Sequence, residues 1–249
     1  MANFKMLIQY EGTRYNGWQK QESTDQTIQG KIEQVLTRLY EENIEIHGSG
    51  RTDAGVHALE QVANFKVSEE KNRYKEDDIL KYLNEYLPLD IRIYSVEQVD
   101  ERFHARLSAK SKIYEYRIDT GAVENVFYRR FASRTAAALN VERMEKAAAF
   151  CVGTHDFRSF CANKKMKKST VRTIYDISFH EVNHILTIRF HGDGFLYHMV
   201  RIMVGTLIEI GEGRREVDEM KKIIAERDRG AAGYTAPPQG LCLVKVWYT

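Results

Sequence analysis

The sequence predicts an α+β protein with two similar halves around a mostly antiparallel sheet. Runs of alternating apolar residues, typical of strands, and runs with helical spacing follow one another in the order β-α-β-β-α-β. The same order then occurs a second time, which indicates two split β-α-β units. We expect residues 1–105 to form the first half and residues 106–249 the second, a length that suits one large or two modest domains at about 150 residues each.

Four strands and two helices are predicted in the first half. Phe4, Met6 and Ile8 alternate with mostly polar neighbours, which is typical of a strand with one buried face. A capping region at 24–27 precedes apolar residues at helical spacing, and Pro88 ends the second helix. The predicted elements are a strand at 4–10, a helix at 28–39, strands at 44–47 and 61–67, a helix at 77–86 and a strand at 91–96.

The second half contains the same kinds of element in the same order. Asn140 is suited to cap a helix that Gly153 ends, and Asn183 lies between two apolar segments as the turn of a hairpin. The predicted elements are a strand at 113–118, a helix at 141–150, strands at 174–182 and 185–191, helices at 195–210 and 217–225, and a strand at 241–248. No repeat of letters relates the halves, so their pairing as two ferredoxin-like units rests on element order alone.

The composition is that of a soluble globular protein and argues against several other classes. Apolar residues make up 43% of the chain and charged residues 29%. The three Cys residues include no Cys-x-x-Cys pair, which argues against a disulfide scaffold and a zinc site. The N-terminus is too polar for a signal peptide, and no apolar stretch reaches the length of about 18 residues that a membrane span needs. We therefore expect a cytoplasmic protein.

Two basic runs stand out in a chain whose net charge, 37 minus 35, is only +2. Between residues 161 and 175 there is no acidic residue, and the basic ones are Lys164, Lys165, Lys167, Lys168 and Arg172. Between residues 102 and 117 Glu115 is the one acidic residue, and the basic ones are Arg102, Arg106, Lys110, Lys112 and Arg117. Such clustering favours contact with a polyanion, although either run alone is equally typical of a solvated surface.

The densest functional pattern is the Gly-rich segment at 48–58, between two predicted strands. Its Gly residues let the backbone approach a ligand closely and adopt positive φ. Arg51 and Asp53 flank a single Thr, which would bring an anion-binding cation beside a chemically active carboxylate. A Gly-rich turn with an Asp53 side-chain hydrogen bond explains the pattern equally well. A metal site at His47, Asp53 and His57 is a third interpretation, although that spacing matches no familiar ligand motif.

Residues 50–58, GRTDAGVHA, resemble the signature of the tRNA pseudouridine synthase A family. Further motifs of that family follow in the expected order and extend the resemblance over nearly the whole chain. They are YEGTRYNGWQ at 10–19, TIQG at 27–30, LPLDI at 87–91, FHARLSA at 103–109, HDF at 155–157, FLYHMVR at 195–201 and GL at 240–241. Glu85 and Tyr86 depart from the pattern, because the family more often has small or aliphatic residues there.

The resemblance implies an isomerase that converts uridine to pseudouridine at positions 38 to 40 of the tRNA anticodon stem-loop, without a cofactor or a required metal. It implies that Asp53 is the catalytic carboxylate and that Arg201 is its ionic partner. Tyr114 is implied as the residue that contacts the substrate base, although Tyr114 and Tyr116 also fit the pattern of ordinary strand residues that face one side. Attack by Asp53 on the base, attack on C1′ and elimination to a glycal all stay open.

The target bases lie in or beside a stem, so such an enzyme must extract a base before it reacts. Arg51 is expected to occupy the vacated space and hold the flipped nucleotide. Phosphate contacts are expected from Arg106, Lys110, Lys112, Lys164, Lys165, Lys167 and Lys168. The resemblance also implies a homodimer with one tRNA across both subunits, and the many Tyr and Phe residues are suited to line an interface.

Three alternatives remain open from the sequence alone. A catalytically silent RNA-binding module or RNA chaperone would use the same basic surface, although the intact run of Arg51, Thr52 and Asp53 argues against it. A metal-dependent hydrolase would use His47, Asp53 and His57. A relative within the same family would act at other tRNA positions.

Overall fold

The computed structural model describes residues 1–135, 137–163 and 166–249, which form two compact units. The first unit comprises Met1–Lys110 together with Leu243–Thr249, and the second comprises Ser111–Cys242. Lys164 and Lys165, two of the predicted phosphate contacts, lie outside the described residues. None of the helices in the described ranges is both long and apolar enough to cross a membrane.

The first unit is a mostly antiparallel sheet with two helices. Its elements are β1 (Ala2–Tyr10), α1 (Ile28–Tyr40), β2 (Ile46–Gly48), β3 (His57–Val67), α2 (Glu76–Tyr86) and β4 (Ile91–Val99). The strands are arranged β4-β1-β3, β2 also pairs antiparallel with β3, and β3 is followed in the sheet by the last strand of the chain, β10 (Leu241–Trp247). The predicted order of strands and helices is therefore confirmed in this unit.

One face of the first unit's sheet packs on helix α1. Phe4 and Phe65 lie opposite each other in the β1–β3 register, and their rings stack at 5.3 Å between centroids. Tyr40 in the last turn of α1 contacts Phe65 at 6.1 Å. The helix begins where the capping region predicts, because the Thr27 hydroxyl accepts a hydrogen bond from the Gly30 N–H at 3.2 Å. This shared apolar layer fixes the helix against the strands that carry the Gly-rich segment.

The second unit contains a sheet with strand order β5-β9-β8-β7 and three helices in the described residues. Its elements are β5 (Ser111–Asp119), β6 (Ser133–Arg134), α3 (Val141–Ala149), β7 (Gly153–Asp156), β8 (Val171–Val182), β9 (Ile185–Gly192), α4 (Met199–Gly211) and α5 (Glu219–Glu226). The pairs β5–β9, β9–β8 and β8–β7 are antiparallel, whereas the short β6 pairs parallel with β5. The α+β class with mostly antiparallel pairing is confirmed.

Two turns of the second unit follow directly from their residues. Asn183 and His184 both have positive φ, 49° and 61°, and connect β8 to β9 as a two-residue hairpin. That geometry is the type I′ turn, which Asn tolerates well. Asn140 caps α3 by accepting a hydrogen bond from the Arg143 N–H at 3.0 Å. Both features are as predicted.

Two differences from the prediction in the second unit affect the surroundings of the predicted site residues. Helix α4 begins at Met199 rather than at residue 195, because His198 has φ 62° and its ring lies against the Tyr197 ring at 3.8 Å. Helix α3 ends at Ala149, and Gly153 with φ +108° begins β7, a strand that was not predicted. Residues 195–198 are consequently an irregular segment before a buried helix.

Candidate active site

The segment 49–56 connects β2 to β3 and carries Arg51 and Asp53. Its start is fixed by a side-chain pair, because the Ser49 hydroxyl donates to Gln61 Oε1 at 2.6 Å and Gln61 Nε2 donates to the Gly50 carbonyl at 2.9 Å. Both side chains are fully buried. A loop that is tied to its own outgoing strand in this way is held in one conformation, and we call it the Asp53 loop.

The segment 10–18 supports the Asp53 loop from the other side. The Trp18 N–H donates to the Thr52 carbonyl at 3.0 Å, and the hydroxyls of Tyr10 and Thr52 are hydrogen-bonded at 2.8 Å. The approach is so close that a Cβ on Gly12 would lie 2.0 Å from the Val56 carbonyl oxygen. Only Gly fits there, which gives a physical reason for the Gly in the motif at 10–19.

The motif at 87–91 contributes to the same support. The Tyr15 hydroxyl donates to Asp90 Oδ1 at 2.5 Å, and the Glu11 N–H donates to the Asp90 carbonyl at 3.0 Å. Burial and the adjacent Asp90 carboxylate raise the pKa of Tyr15, so this hydroxyl remains a donor at neutral pH. Three motifs that are far apart in sequence therefore meet around the Asp53 loop.

The two predicted site residues of the Asp53 loop are more exposed than the residue between them. Thr52 is buried, whereas Asp53 is half-buried and Arg51 is exposed. A turn follows in which the Val56 N–H donates to the Asp53 carbonyl at 3.2 Å and Gly55 has φ +79°. The loop thus holds a carboxylate within reach of solvent and an outward-facing guanidinium two residues before it.

The histidines of the metal-site interpretation have separate roles. His57 is buried, and its Nδ1 accepts a hydrogen bond from the Gly12 N–H at 3.0 Å. His47 is exposed and its ring stacks on that of His104 at 5.1 Å between centroids. Within the described ranges, no group of three or more His, Cys, Asp or Glu side chains is arranged to hold a metal ion.

In the second unit, Tyr114 lies on β5 with its side chain 7% exposed. It pairs with Phe190 of β9 and contacts the Phe195 ring edge-on at 5.1 Å and 81°. Tyr116, two residues further, is fully buried and donates its hydroxyl to the Pro237 carbonyl at 2.8 Å. Both tyrosines are buried on one side of the strand, as predicted, so they share a face.

Arg201 lies in the first turn of α4 and is half-buried. Its Nε donates to the Ala236 carbonyl at 2.8 Å, and the Ala236 N–H donates back to the Arg201 carbonyl at 3.0 Å. Burial raises the pKa of Tyr116, and the positive charge of the nearby Arg201 guanidinium offsets part of that increase. This helix start therefore positions a cation beside the irregular segment that leads to β10.

The predicted residues are distributed over both units. Arg51 and Asp53 lie on one loop of the first unit, whereas Tyr114 and Arg201 belong to the second. There Tyr114 contacts Phe195 at the start of the 195–201 motif, and Arg201 ends that motif. Of the predicted phosphate contacts, Lys112 is half-buried and the exposed ones are Arg106, Lys110, Lys167 and Lys168.

Sequence reasoning did not single out Phe195 or the hydrogen-bonded pair of Arg201 and Ala236. Phe195 lies within a motif that the sequence contains, but its role against Tyr114 depends on the β5–β9 register. Ala236 contacts Arg201 through its backbone carbonyl, so its residue type does not predict the contact. The neighbouring Pro237 and Pro238 predict an irregular segment at this position, but not its hydrogen bond to Arg201.

Comparison with known proteins identifies the family. A sequence profile described as tRNA pseudouridine synthase matches residues 6–107 and 147–249. The tRNA pseudouridine synthase A of Bacillus sp. (strain KSM-64) is 46% identical over 243 residues, which covers 98% of each chain. The proteins named tRNA pseudouridine synthase A 2 of Bacillus cereus (strain ATCC 14579) and tRNA pseudouridine synthase A of Thermoanaerobacter sp. (strain X514) are 45% and 40% identical over 99% and 100% of each chain.

The chain therefore belongs to the tRNA pseudouridine synthase family, and the resemblance of its motifs is confirmed. A solved Cbf5-Nop10-Gar1 complex matches with a TM-score of 0.38 and 10% identity over 86% of this chain and 44% of that chain, which is too weak to support an argument.

Proposed function

We propose that this protein isomerises uridine to pseudouridine in tRNA, at positions 38 to 40 of the anticodon stem-loop. The bond between C1′ and N1 breaks, the uracil turns, a bond forms between C1′ and C5, and the proton on C5 returns to solvent while N1 gains one. The reaction is an isomerisation, so no external oxidant, reductant or cofactor is required. The observation that carries the proposal is family membership over the full chain together with the rigid Asp53 loop.

Asp53 is the proposed catalytic carboxylate. A carboxylate can act at a glycosidic centre by forming a covalent or tightly paired intermediate, which divides one difficult step into two easier ones. The hydrogen bonds around Ser49 and Thr52 support this role because they hold the loop backbone on both sides of Asp53. Holding the reacting group in place before the substrate arrives is worth several kcal/mol of barrier, on the order of 7–11 in the best intramolecular cases.

Tyr114 is proposed to contact the uracil, and Arg201 to pair with the Asp53 carboxylate. The contact between Phe195 and Tyr114 fixes the tyrosine ring, which leaves its hydroxyl as the group that can exchange a proton with the base. The Arg201 guanidinium is always charged and carries five N–H donors. Such a group can hydrogen-bond a backbone carbonyl, as it does at Ala236, and also interact with an anion. We propose a division of work in which residues 1–105 carry the carboxylate and residues 106–249 carry the tyrosine and arginine.

Arg51 is proposed to fill the space that the everted base leaves. Arg51 is exposed, whereas the next residue, Thr52, is buried and holds the loop, so the Arg51 side chain can enter a nucleic acid without a change of the loop. Eversion costs a few kcal/mol, which contacts with the flipped nucleotide must offset.

Phosphate contacts from Arg106, Lys110, Lys112, Lys164, Lys165, Lys167 and Lys168 would supply salt-dependent affinity. We also propose a homodimer that binds one tRNA across both subunits and acts in the cytoplasm.

The decisive experiment measures tritium release from tRNA labelled at C5 of uridine. The wild-type protein is expected to release tritium in excess chelator, and Asp53→Asn to bind the same tRNA while releasing none. Binding without release by the wild type would favour the silent RNA-binding module, and loss of activity in chelator would favour a metal-dependent enzyme.

A second measurement tests the positions. Unmodified tRNA is treated with the enzyme and its pseudouridines are mapped by reverse transcription after chemical modification. Signals at positions 38 to 40 are expected. Signals elsewhere would retain the isomerase but assign it another target.

A further inference from the structure

The first unit's sheet has a second face, turned away from α1, that carries polar and basic side chains. Phe65 of β3 points to α1, and successive strand residues alternate in direction, so Asn64 and Lys66 lie on the other face. His47 of β2 pairs with Asn64 in the antiparallel register and therefore shares that face. This face lies beside the start of the Asp53 loop, because β2 ends at Gly48.

Two buried asparagines fix the segment that follows β4, residues 100–108, to this face. Asn64 Oδ1 accepts a hydrogen bond from the Ala105 N–H at 2.9 Å, and Asn64 Nδ2 donates to Asn3 Oδ1 at 3.0 Å. Asn3 Nδ2 in turn donates to two carbonyls of the segment, each at 2.9 Å. Both asparagines are 1% exposed, so this network is dry and specifies one position for the segment.

The segment places His104 on His47. Their rings are stacked, with centroids 5.1 Å apart and planes inclined by 21°. The Arg106 N–H donates to His104 Nδ1 at 3.1 Å, so the neutral imidazole carries its proton on Nε2 and can donate from there. Arg106 and Lys66 are exposed beside the stack. Two imidazoles, an ammonium and a guanidinium thus adjoin one another and supply N–H donors.

We propose that His47, His104, Lys66 and Arg106 form a phosphate site that binds the RNA backbone next to the Asp53 loop. The inference rests on the proposed function, because an RNA substrate brings phosphates to this face. Arg106 is among the phosphate contacts already expected, whereas His47, His104 and Lys66 are new. A phosphate is the ligand that this set fits, because guanidinium and ammonium groups bind it as charge-assisted donors.

His104 is suited to bind phosphate as a neutral hydrogen-bond donor. Burial, the adjacent His47 and the charges of Arg106 and Lys66 lower the pKa of His104, so its imidazole is neutral at pH 7. Because the Arg106 N–H occupies Nδ1, the proton on Nε2 is the one that this imidazole can donate to a phosphate oxygen.

The test measures affinity for a tRNA anticodon stem-loop at pH 7.5 and at several salt concentrations. His47→Gln removes the ring that stacks on His104 and is expected to weaken binding about threefold. Lys66→Ala is expected to weaken binding about threefold and to reduce the salt slope by about one. The controls are His180→Gln on β8 and Lys81→Ala on α2, both exposed residues outside this face, which should bind as the wild type does.

The outcomes separate this inference from the proposed function. If the wild type binds and releases tritium while His47→Gln and Lys66→Ala keep its affinity and its salt slope, the phosphate site is wrong and the function stands. If the wild type neither binds the RNA nor releases tritium, the proposed function fails, and with it the RNA ligand assigned to this site. At limiting enzyme, the single-turnover rate of both variants is expected to fall in proportion to their loss of affinity, whereas His180→Gln and Lys81→Ala should keep the wild-type rate.

Discussion

The Asp53 loop of the first unit and the Tyr114–Arg201 region of the second hold the proposed site residues by different means. The loop has no regular structure of its own, and hydrogen bonds from Gln61, Trp18 and Tyr10 fix it. Tyr114 and Arg201 lie on a strand and a helix, whose regular backbone hydrogen bonds set the direction of each side chain. A loop site depends on many separate contacts, whereas a site on regular elements depends on few.

The two regions nevertheless share one feature, a Gly whose missing side chain lets a backbone carbonyl from another segment pack against it. A Cβ on Gly12 would lie 2.0 Å from the Val56 carbonyl oxygen, and one on Gly205 would lie 2.0 Å from that of Tyr234. In the first unit this feature brings a supporting segment to the Asp53 loop. In the second it brings the segment around Tyr234 to helix α4, two residues before Ala236, the partner of Arg201.

The largest effect is expected from Gly12→Ala and Gly205→Ala. Each adds a methyl group where backbone already lies, and such overpacking costs about 3 kcal/mol or more of unfolding free energy. Urea denaturation should show a similar loss for both variants. Gly213→Ala is the control, because nothing lies within 4 Å of its Cβ and its φ of +75° costs about 1 kcal/mol. If Gly12→Ala were as stable as the wild type, the close support of the Asp53 loop would be refuted.

The sequence predicted the fold where local chemistry decides it. Thr27 and Asn140 cap helices, and Asn183 occupies a turn that needs positive φ. These outcomes depend on a few neighbouring residues. The predicted start of α4 was wrong because the three apolar residues at 195–197 fit helical spacing, whereas His198 adopts the left-handed conformation, which prevents the helix from extending to them.

The candidate site was predictable as a set of motifs but not as an arrangement. The Gly-rich pattern predicted the Asp53 loop, but no sequence motif predicts that Gly12 contacts Val56 or that Asn64 contacts Ala105. Those contacts join residues more than forty positions apart, and their existence depends on strand register. Register is set by packing of the whole sheet and not by neighbouring letters.

Arg201→Ala is expected to reduce turnover about 100-fold, or about 2.7 kcal/mol of barrier, while tRNA binding changes little. The reason is that the proposed partner of the guanidinium is the reacting carboxylate and not the RNA backbone. Single-turnover tritium release and filter binding measure the two effects separately. Arg189→Ala, an exposed arginine of the same unit, is the control. Equal losses of turnover and binding would reject the pairing with Asp53.

Asp119→Asn is expected to cost about 2 kcal/mol of stability at pH 7. Its carboxylate is buried and accepts hydrogen bonds from the N–H groups of Asn125 and Gly121, both at 2.9 Å, and these bonds lower its pKa. A pKa lowered in the folded state gives stability that is present above the ordinary carboxyl pKa and is lost as the pH falls through the folded value. The difference between variant and wild type should therefore shrink below about pH 4. Asp77→Asn, exposed on α2, should show neither effect.

The smallest expected effect, and the sharpest test of the comparison, comes from removing one hydroxyl in each region. Tyr10→Phe breaks the bond to Thr52, and Tyr116→Phe breaks the bond to Pro237, so each should lose about 1 kcal/mol of stability. Turnover should fall several-fold more in Tyr10→Phe than in Tyr116→Phe. The reason is that Thr52 is next to Asp53 on a loop that no strand pairing holds in place. Tyr175→Phe, half-exposed on β8, is the control for the substitution itself. Equal losses of turnover in both buried variants would mean that the loop is no more dependent on single contacts than the strand and helix are.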